Sequence, residues 1–170
     1  MRHTLSVLVE NKPGALTRVT SMFARRGYNI QSLAVGPTER RDISRLTLRV
    51  DCNEQSLEQI EKQMHKLVNV LRVQELVPGE SVERELALLK VAAPASKRAE
   101  LIALADAFGA RVADLGTDSI VFELVGTPEE IDSFEELVRP HGLQELGRTG
   151  RLGLARAGRN AKSRPQHVLA

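Results

Sequence analysis

The stretch Glu10-Asn11-Lys12-Pro13-Gly14-Ala15-Leu16 puts a side-chain amide, a proline and a glycine at the junction of two apolar segments. The apolar run Arg2 to Val9 is short enough for a buried strand. From Leu16 to Phe23 apolar residues recur at helical spacing, so the stretch is a strand-to-helix turn. Pro13 presets φ for a first helical turn, and Gly14, without a Cβ, admits another backbone or a small molecule to the main chain. Free N–H groups at such a turn point outward and carry partial positive charge, which suits a carboxylate or a phosphate. Asn11 adds an amide beside them. A Pro-Gly pair also serves simply to turn a chain, so the surrounding elements decide its role.

Other chemistries find less support. His3, His65, His141 and His167 fall on different elements with no Cys or carboxylate cluster at ligand spacing, which argues against a metal site. No nucleophile elbow and no G-x-x-x-x-G-K-[ST] loop is present. Gly147-x-x-Gly150-x-x-Gly153 is not a dinucleotide fingerprint and reads as a strand end. Arg40-Arg41 reads as a solvated hairpin loop. The lone Cys52 has no partner for an internal disulfide and reads as a structural thiol in a reduced compartment.

Composition narrows the function classes. The chain has 170 residues, 42% hydrophobic and 27% charged, the balance of a globular protein with one ordinary domain or two small ones. No apolar run approaches the ~20 residues that span a bilayer, and no signal-peptide pattern opens the chain, which points to the cytoplasm. Six basic residues (Arg148, Arg151, Arg156, Arg159, Lys162, Arg164) and no acid lie between Gly147 and Ala170. Taking these from the 24 Lys and Arg leaves 18 basic against 22 acidic residues, a balance of −4 for residues 1–146. The body is therefore no polyanion binder, and 3% aromatic residues with no Trp removes the stacking platforms of single-stranded nucleic-acid binders. The C-terminal arginines suit either docking on an acidic partner surface or solubility.

The elements that must position the turn follow from periodicity. His3 to Val9 alternates, with Leu5, Val7 and Val9 on one face. A helix from about Gly14 to Arg26 buries Leu16, Val19, Met22 and Phe23, and Gly27 suits a left-handed stop. Tyr28 to Val35 and Ile43 to Asp51 read as strands. Asn53 caps a second helix with Leu57, Ile60, Met64, Leu67 and Val68 as its stripe, and Val70 to Val77 makes a fourth strand. The order β-α-β-β-α-β is that of a ferredoxin-like unit: an antiparallel four-stranded sheet with both helices on one face. After Pro78-Gly79 the plan repeats: a strand from Arg84 to Ala93, a helix from Ser96 to Phe108, strands Ala110–Leu115 and Ser119–Val125, then a helix opened by Thr127-Pro128-Glu129-Glu130. A last strand lies within Leu143 to Leu154. The expected fold class is thus α+β, two tandem ferredoxin-like domains, divided into residues 1–79, 80–157 and a flexible basic tail over 158–170. Open sheet edges in such modules are commonly hidden by side-by-side pairing, which would put the Asn11–Leu16 turn at a subunit boundary.

Several fragments resemble one family: Leu5-Ser6-Val7-Leu8-Val9-Glu10-Asn11, Pro13-Gly14-Ala15-Leu16, Arg26-Gly27-Tyr28-Asn29-Ile30, Gly36-Pro37-Thr38 and Leu57-Glu58-Gln59-Ile60-Glu61-Lys62-Gln63. Val82-Glu83-Arg84-Glu85-Leu86 and Arg148-Thr149-Gly150-Arg151 extend the likeness. The chain resembles the small regulatory subunits of acetohydroxyacid synthase (acetolactate synthase), whose first half is an ACT domain. The resemblance implies a non-catalytic homodimer that activates a separate catalytic subunit. It also implies feedback inhibition by a branched-chain amino acid, usually valine, bound between two ACT domains. Thiamine diphosphate, Mg²⁺ and FAD would belong to the catalytic partner, with no cofactor in this chain. By position, Asn11, Pro13, Gly14, Ala15 and Leu16 match the effector-carboxylate contacts. Asn29 and Ile30 match contacts near the same site, and Val35 matches the lining of an aliphatic pocket across the dimer. Gln31 stands where many relatives carry Glu, which touches effector preference. A stand-alone ACT-domain sensor of another amino acid is the alternative. An RNA-recognition module shares the element order but needs aromatics on its third strand, and Ile43 to Asp51 has none.

Overall fold

The computed structural model describes residues 1–158, and the chain divides into two compact units: residues 1–82 together with the segment from Arg151, and Glu83–Gly150. The first unit runs β1 (Arg2–Glu10), α1 (Ala15–Arg25), β2 (Ile30–Pro37), β3 (Ile43–Asp51), α2 (Glu54–Met64) and β4 (Val70–Leu76). Its sheet is antiparallel in the order β2-β3-β1-β4, so β2 and β4 are its edges. Alternation in the central strand puts Leu5, Val7 and Val9 on the face beneath the helices. There they are buried with Leu46, Leu48 and Val50 of β3 and with Val19, Met22, Phe23, Ile60 and Met64 of the helices. Asn53 caps α2 as its sequence requires, its side chain accepting the Ser56 N–H at 2.8 Å. Gly27, at φ 71°, provides the left-handed stop after α1.

The second unit repeats the plan with β5 (Ser81–Ala92), which begins two residues before the division, α3 (Arg98–Phe108), β6 (Arg111–Leu115), β7 (Ser119–Gly126), α4 (Pro128–Val138) and β8 (Leu143–Arg148). The strand order is β6-β7-β5-β8. Ala87, Leu89, Val91, Ile120, Phe122 and Leu124 of the sheet are buried against Leu101, Ala105, Ile131, Phe134 and Val138 of the helices. Phe122 and Phe134 meet edge-to-face at 5.9 Å, a geometry worth about 0.5–1.5 kcal/mol beyond area burial. The expected α+β architecture of two βαββαβ units is therefore present.

Several stretches differ from expectation. The second strand runs Ile30–Pro37 rather than from Tyr28 to Val35, Leu16 is half-exposed rather than buried under α1, α2 ends at Met64 before Leu67 and the exposed Val68, and β5 begins at Ser81 rather than Arg84. The helix predicted from Ser96 begins at Arg98, because Lys97 N–H first closes a turn onto Pro94 O at 2.8 Å. The last strand, expected within Leu143–Leu154, is split into β8 and a separate β9 (Leu152–Ala155); β9 pairs with β5 and groups with the first unit. Its neighbour Arg156 holds it there: the Arg156 N–H donates to Glu80 O at 2.9 Å and its Nε to Gly79 O at 3.1 Å. The expected basic tail falls on residues that, after Gly158, lie outside the described ones.

The capping box of α4 gives a direct stability test. Glu130 N–H donates to Thr127 Oγ1 at 3.3 Å, and Thr127 N–H donates to Glu130 Oε2 at 2.6 Å. The Thr127 backbone bond holds the Glu130 carboxyl below its ordinary value of 4.5. A carboxyl lowered on folding stabilises the fold above its unfolded pKa, and that contribution disappears as pH falls through the folded value. Thr127→Ala, which removes the Oγ1 acceptor, is expected to cost about 1 kcal/mol at neutral pH in urea melts. Glu130→Gln, which removes the carboxylate, is expected to be less stable than wild type at neutral pH, with the difference shrinking as pH falls through the folded-state value of Glu130, where the wild-type carboxyl is protonated too. A pH-independent difference for Glu130→Gln would show that the carboxylate charge takes no part.

Candidate functional site: the Asn11–Leu16 turn and the edge strand

β1 delivers the chain to the turn at its Glu10 end, where Glu10 pairs with Ile43 of β3. The turn is tied down from both sides. Asn11 N–H donates to Asp42 O at 2.8 Å, and its side-chain Nδ2 donates to Arg41 O at 3.0 Å. The Asn11 amide thus anchors the turn to the loop between β2 and β3, leaving its Oδ1 as an acceptor. Lys12 does not lend a free cation, because its Nζ lies 3.1 Å from Glu10 Oε1. Asn69 Nδ2, donating at 2.7 Å to Glu10 Oε2, and then Lys12 hold the Glu10 carboxyl below its ordinary range.

Gly14 occupies the N-cap of α1 at φ 83°, a left-handed conformation that L side chains rarely adopt. A Cβ added there would meet nothing within 4 Å, so the surface over it is open. No side chain caps α1 and no acid stands in its first turn. Ala15 N–H turns back to Lys12 O at 3.2 Å, and Ala15 is buried. The outward face of the turn is therefore the backbone of Gly14 and Leu16, with the Leu16 side chain 40% exposed beside it. Partial positive charge at an uncapped helix N-terminus and an adjacent apolar side chain suit a carboxylate attached to a small aliphatic group.

The predicted site residues are only partly brought together. Asn11, Pro13, Gly14, Ala15 and Leu16 form one surface. Val35, on edge strand β2, pairs with Leu46, which in turn faces Val7 on the other side, so it lies near the middle of the sheet, between the turn and Ile30, and is 48% exposed. Asn29 and Ile30 do not join them. Ile30 pairs with Val50, and Val50 with His3, at the opposite end of the sheet from the Glu10–Ile43 pair. The seven residue steps from Ile43 to Val50 separate the two ends by roughly 23 Å. Sequence reading missed the carbonyls of Arg41 and Asp42, which hold the turn through backbone groups and carry no side-chain signal.

Among the described residues no three His, Cys, Asp or Glu side chains are arranged to hold a metal, and no helix is long and apolar enough to cross a membrane. His3 Nδ1 lies 2.7 Å from Glu75 Oε1, a local pair, and His167 lies outside the described residues. Burial pushes the Cys52 thiol above its ordinary value of 9.0, which keeps it protonated at neutral pH. Two of the C-terminal arginines have internal tasks: Arg156 on Gly79, and Arg148 on Glu85 and Asp132.

The unit that carries the open, uncapped turn also carries the family match that puts the chain in the ACT-domain class of regulatory proteins. Residues 5–72 match the AHAS small subunit-like ACT domain, and residues 84–157 match the family described as small subunit of acetolactate synthase. The acetolactate synthase small subunit of Mycolicibacterium smegmatis is 48% identical over 157 residues, covering 92% of each chain. That of Mycobacterium leprae is 45% identical over 157 residues, 92% of this chain and 93% of its own. The crystal structure of the Thermotoga maritima small subunit superposes with a TM-score of 0.86 at 36% identity, covering 92% of this chain and 98% of that one. The chain belongs to the acetolactate synthase small-subunit family and is a regulatory, non-catalytic subunit.

Proposed function

We propose that this chain activates the catalytic large subunit of acetolactate synthase in the cytoplasm and confers feedback inhibition by valine or another branched-chain amino acid. The observation that carries the reading is the split site: five matching residues sit on one turn, while Asn29 and Ile30 lie about 23 Å away at the other end of the same sheet. One chain alone cannot close such a site. Pairing the open edges of two β2 strands antiparallel about a two-fold axis reverses the ends and carries the partner subunit's Asn29 and the partner subunit's Ile30 toward this turn. The effector carboxylate then rests on the Gly14 and Leu16 backbone, its ammonium on Asn11 Oδ1, and its aliphatic side chain against Leu16 and Val35. The first unit senses and the second works on the catalytic subunit. Thiamine diphosphate, Mg²⁺ and FAD belong to that catalytic subunit.

The test is reconstitution. Added to its cognate large subunit, the full chain is expected to raise acetolactate formation, and valine, leucine or isoleucine is expected to lower it again. Absence of activation would overturn the assignment, and activation with no response to any of the three would leave a regulator of other specificity. The dimer seam has its own test. Val35→Glu puts a charge on an exposed edge strand, where like charges meet across the two-fold. It is expected to weaken both dimerisation in sedimentation equilibrium and valine binding by about tenfold or more, about 1.4 kcal/mol. If binding fell while the dimer stayed intact, Val35 would line the pocket without forming the seam.

A further inference from the structure

The face of the first sheet turned away from α1 and α2 is unexpectedly polar. Leu8 of β1 pairs with Arg45 of β3 on one side and Arg72 of β4 on the other, and Ser6 pairs likewise with Thr47 and Gln74. Because cross-strand partners point to the same face, the two arginines flank Leu8 with their backbones about 10 Å apart. Between them lies a cavity of about 260 Å³, lined by Arg45, Arg72, Ser6 and Gln74, with Leu8 and Leu154 on its apolar side. Arg45 Nη1 donates to Ser6 Oγ at 2.7 Å, and no carboxylate lines the cavity. Next to Ser6, Thr47 is 1% exposed, and its hydroxyl has no hydrogen-bond partner among the described residues; the same is true of the Ser32 hydroxyl.

Two guanidinium groups facing one concavity repel each other unless a negative group lies between them, and a planar fork of N–H donors matches carboxylate and phosphate oxygens. The volume is slightly below the ~300–1,000 Å³ of drug-sized pockets, which suits a metabolite-sized ligand. The cavity is built entirely from the first unit, and none of its residues belongs to the Asn11–Leu16 turn. We propose that this cavity is a second ligand site, for a small organic anion whose carboxylate or phosphate lies between Arg45 and Arg72 while its apolar part rests on Leu8 and Leu154.

The full chain is titrated calorimetrically at constant ionic strength with two sets of probes, inorganic phosphate and methyl phosphate in one and butyrate and succinate in the other. Saturable binding is expected in at least one set, and the set that binds identifies the head group. Arg72→Gln and Arg45→Gln are expected to weaken it at least about tenfold, one to two good charge-assisted contacts. Arg49→Gln, on the same face but outside the cavity, and Gly14→Asp are expected to leave it unchanged. Arg72→Lys, which keeps the charge but not the fork, provides the same reading if Arg72→Gln fails to fold. The proposal is overturned if neither set binds, if Arg49→Gln weakens binding as much as Arg72→Gln does, or if Gly14→Asp abolishes it, which would move the anion to the turn.

Discussion

A Gly14→Asp chain is expected to fold, to activate the large subunit and to ignore valine. Gly14 sits at φ 83°, where Asp is among the better tolerated L residues, and a Cβ there meets nothing within 4 Å. The cost to folding is therefore limited to backbone strain of about 1–2 kcal/mol. The cost to the effector is electrostatic. The new carboxylate stands where the amino-acid carboxylate would rest, and two such charges ~4 Å apart repel by about 4 kcal/mol at an effective dielectric constant of 20. Loss of affinity by at least about a hundredfold, or about 2.7 kcal/mol, is the expected calorimetric result. Gly14→Asn carries the same strain and shape without the charge, and it should bind within about tenfold of wild type. Full valine inhibition of the Gly14→Asp holoenzyme would remove the turn from the effector site. Equal losses in both variants would instead assign the effect to backbone geometry.

The largest stability effect is expected in the second unit, at Arg148. Glu85 is 6% exposed on the helix side of β5, in line with Ala87, Leu89 and Val91 but beyond the end of their apolar cluster. Arg148 meets it with a two-pronged contact, Nε to Oε1 at 3.0 Å and Nη2 to Oε2 at 2.9 Å, while Nη1 reaches Asp132 Oδ1 at 2.6 Å and Glu135 Oε2 at 3.6 Å. The Glu85 contact above all raises the guanidinium pKa, so the arginine stays charged at every accessible pH. Arg148→Ala strands a buried carboxylate, for which removal of one partner typically costs about 3–5 kcal/mol. With Arg148 itself partly solvated, about 3 kcal/mol is expected, seen as a drop of roughly 12 °C or more in the melting of this unit. Pairing Arg148→Met with Glu85→Leu should restore most of the loss, because the charge and its partner then leave together. A single-variant loss under about 1 kcal/mol would show that Glu85 gains water once Arg148 is gone. Since the second unit is proposed to act on the catalytic subunit, activation should fall with its stability.

The two expectations differ in how visible they were. Asn11, Pro13 and Gly14 announce a strand-to-helix turn through their own conformational chemistry, and Thr127 through Glu130 spell out a capping box over four residues. The Arg148–Glu85 pair spans 63 positions, so nothing near Arg148 in sequence marks it as half-buried; it reads as one of six basic residues near the C-terminus and as part of a family-like fragment, and neither reading names its partner. The same holds for β9. Its short Leu152–Ala155 run looked continuous with β8, and only its long-range partners, β5 by strand pairing and Gly79 and Glu80 through Arg156, separate it from β8. The arginine cavity left a faint trace, the alternation Arg45, Thr47, Arg49 on β3. That trace becomes a site only once Leu8 is seen to carry Arg45 on one flank and Arg72 on the other.

By itself, then, the sequence determined the two βαββαβ units, the caps and stops of their helices, the open turn at Gly14 and the family likeness, all carried by residues within a few positions of one another. The tertiary structure decided what depends on register between distant strands: that Asn29 and Ile30 lie at the far end of the sheet from the turn, that Glu85 needs Arg148, and that two arginines face one cavity. The physical reason is one of range. Periodicity and turn chemistry act through local backbone geometry, whereas which strand neighbours which, and at what offset, is set by burying a shared core across dozens of residues.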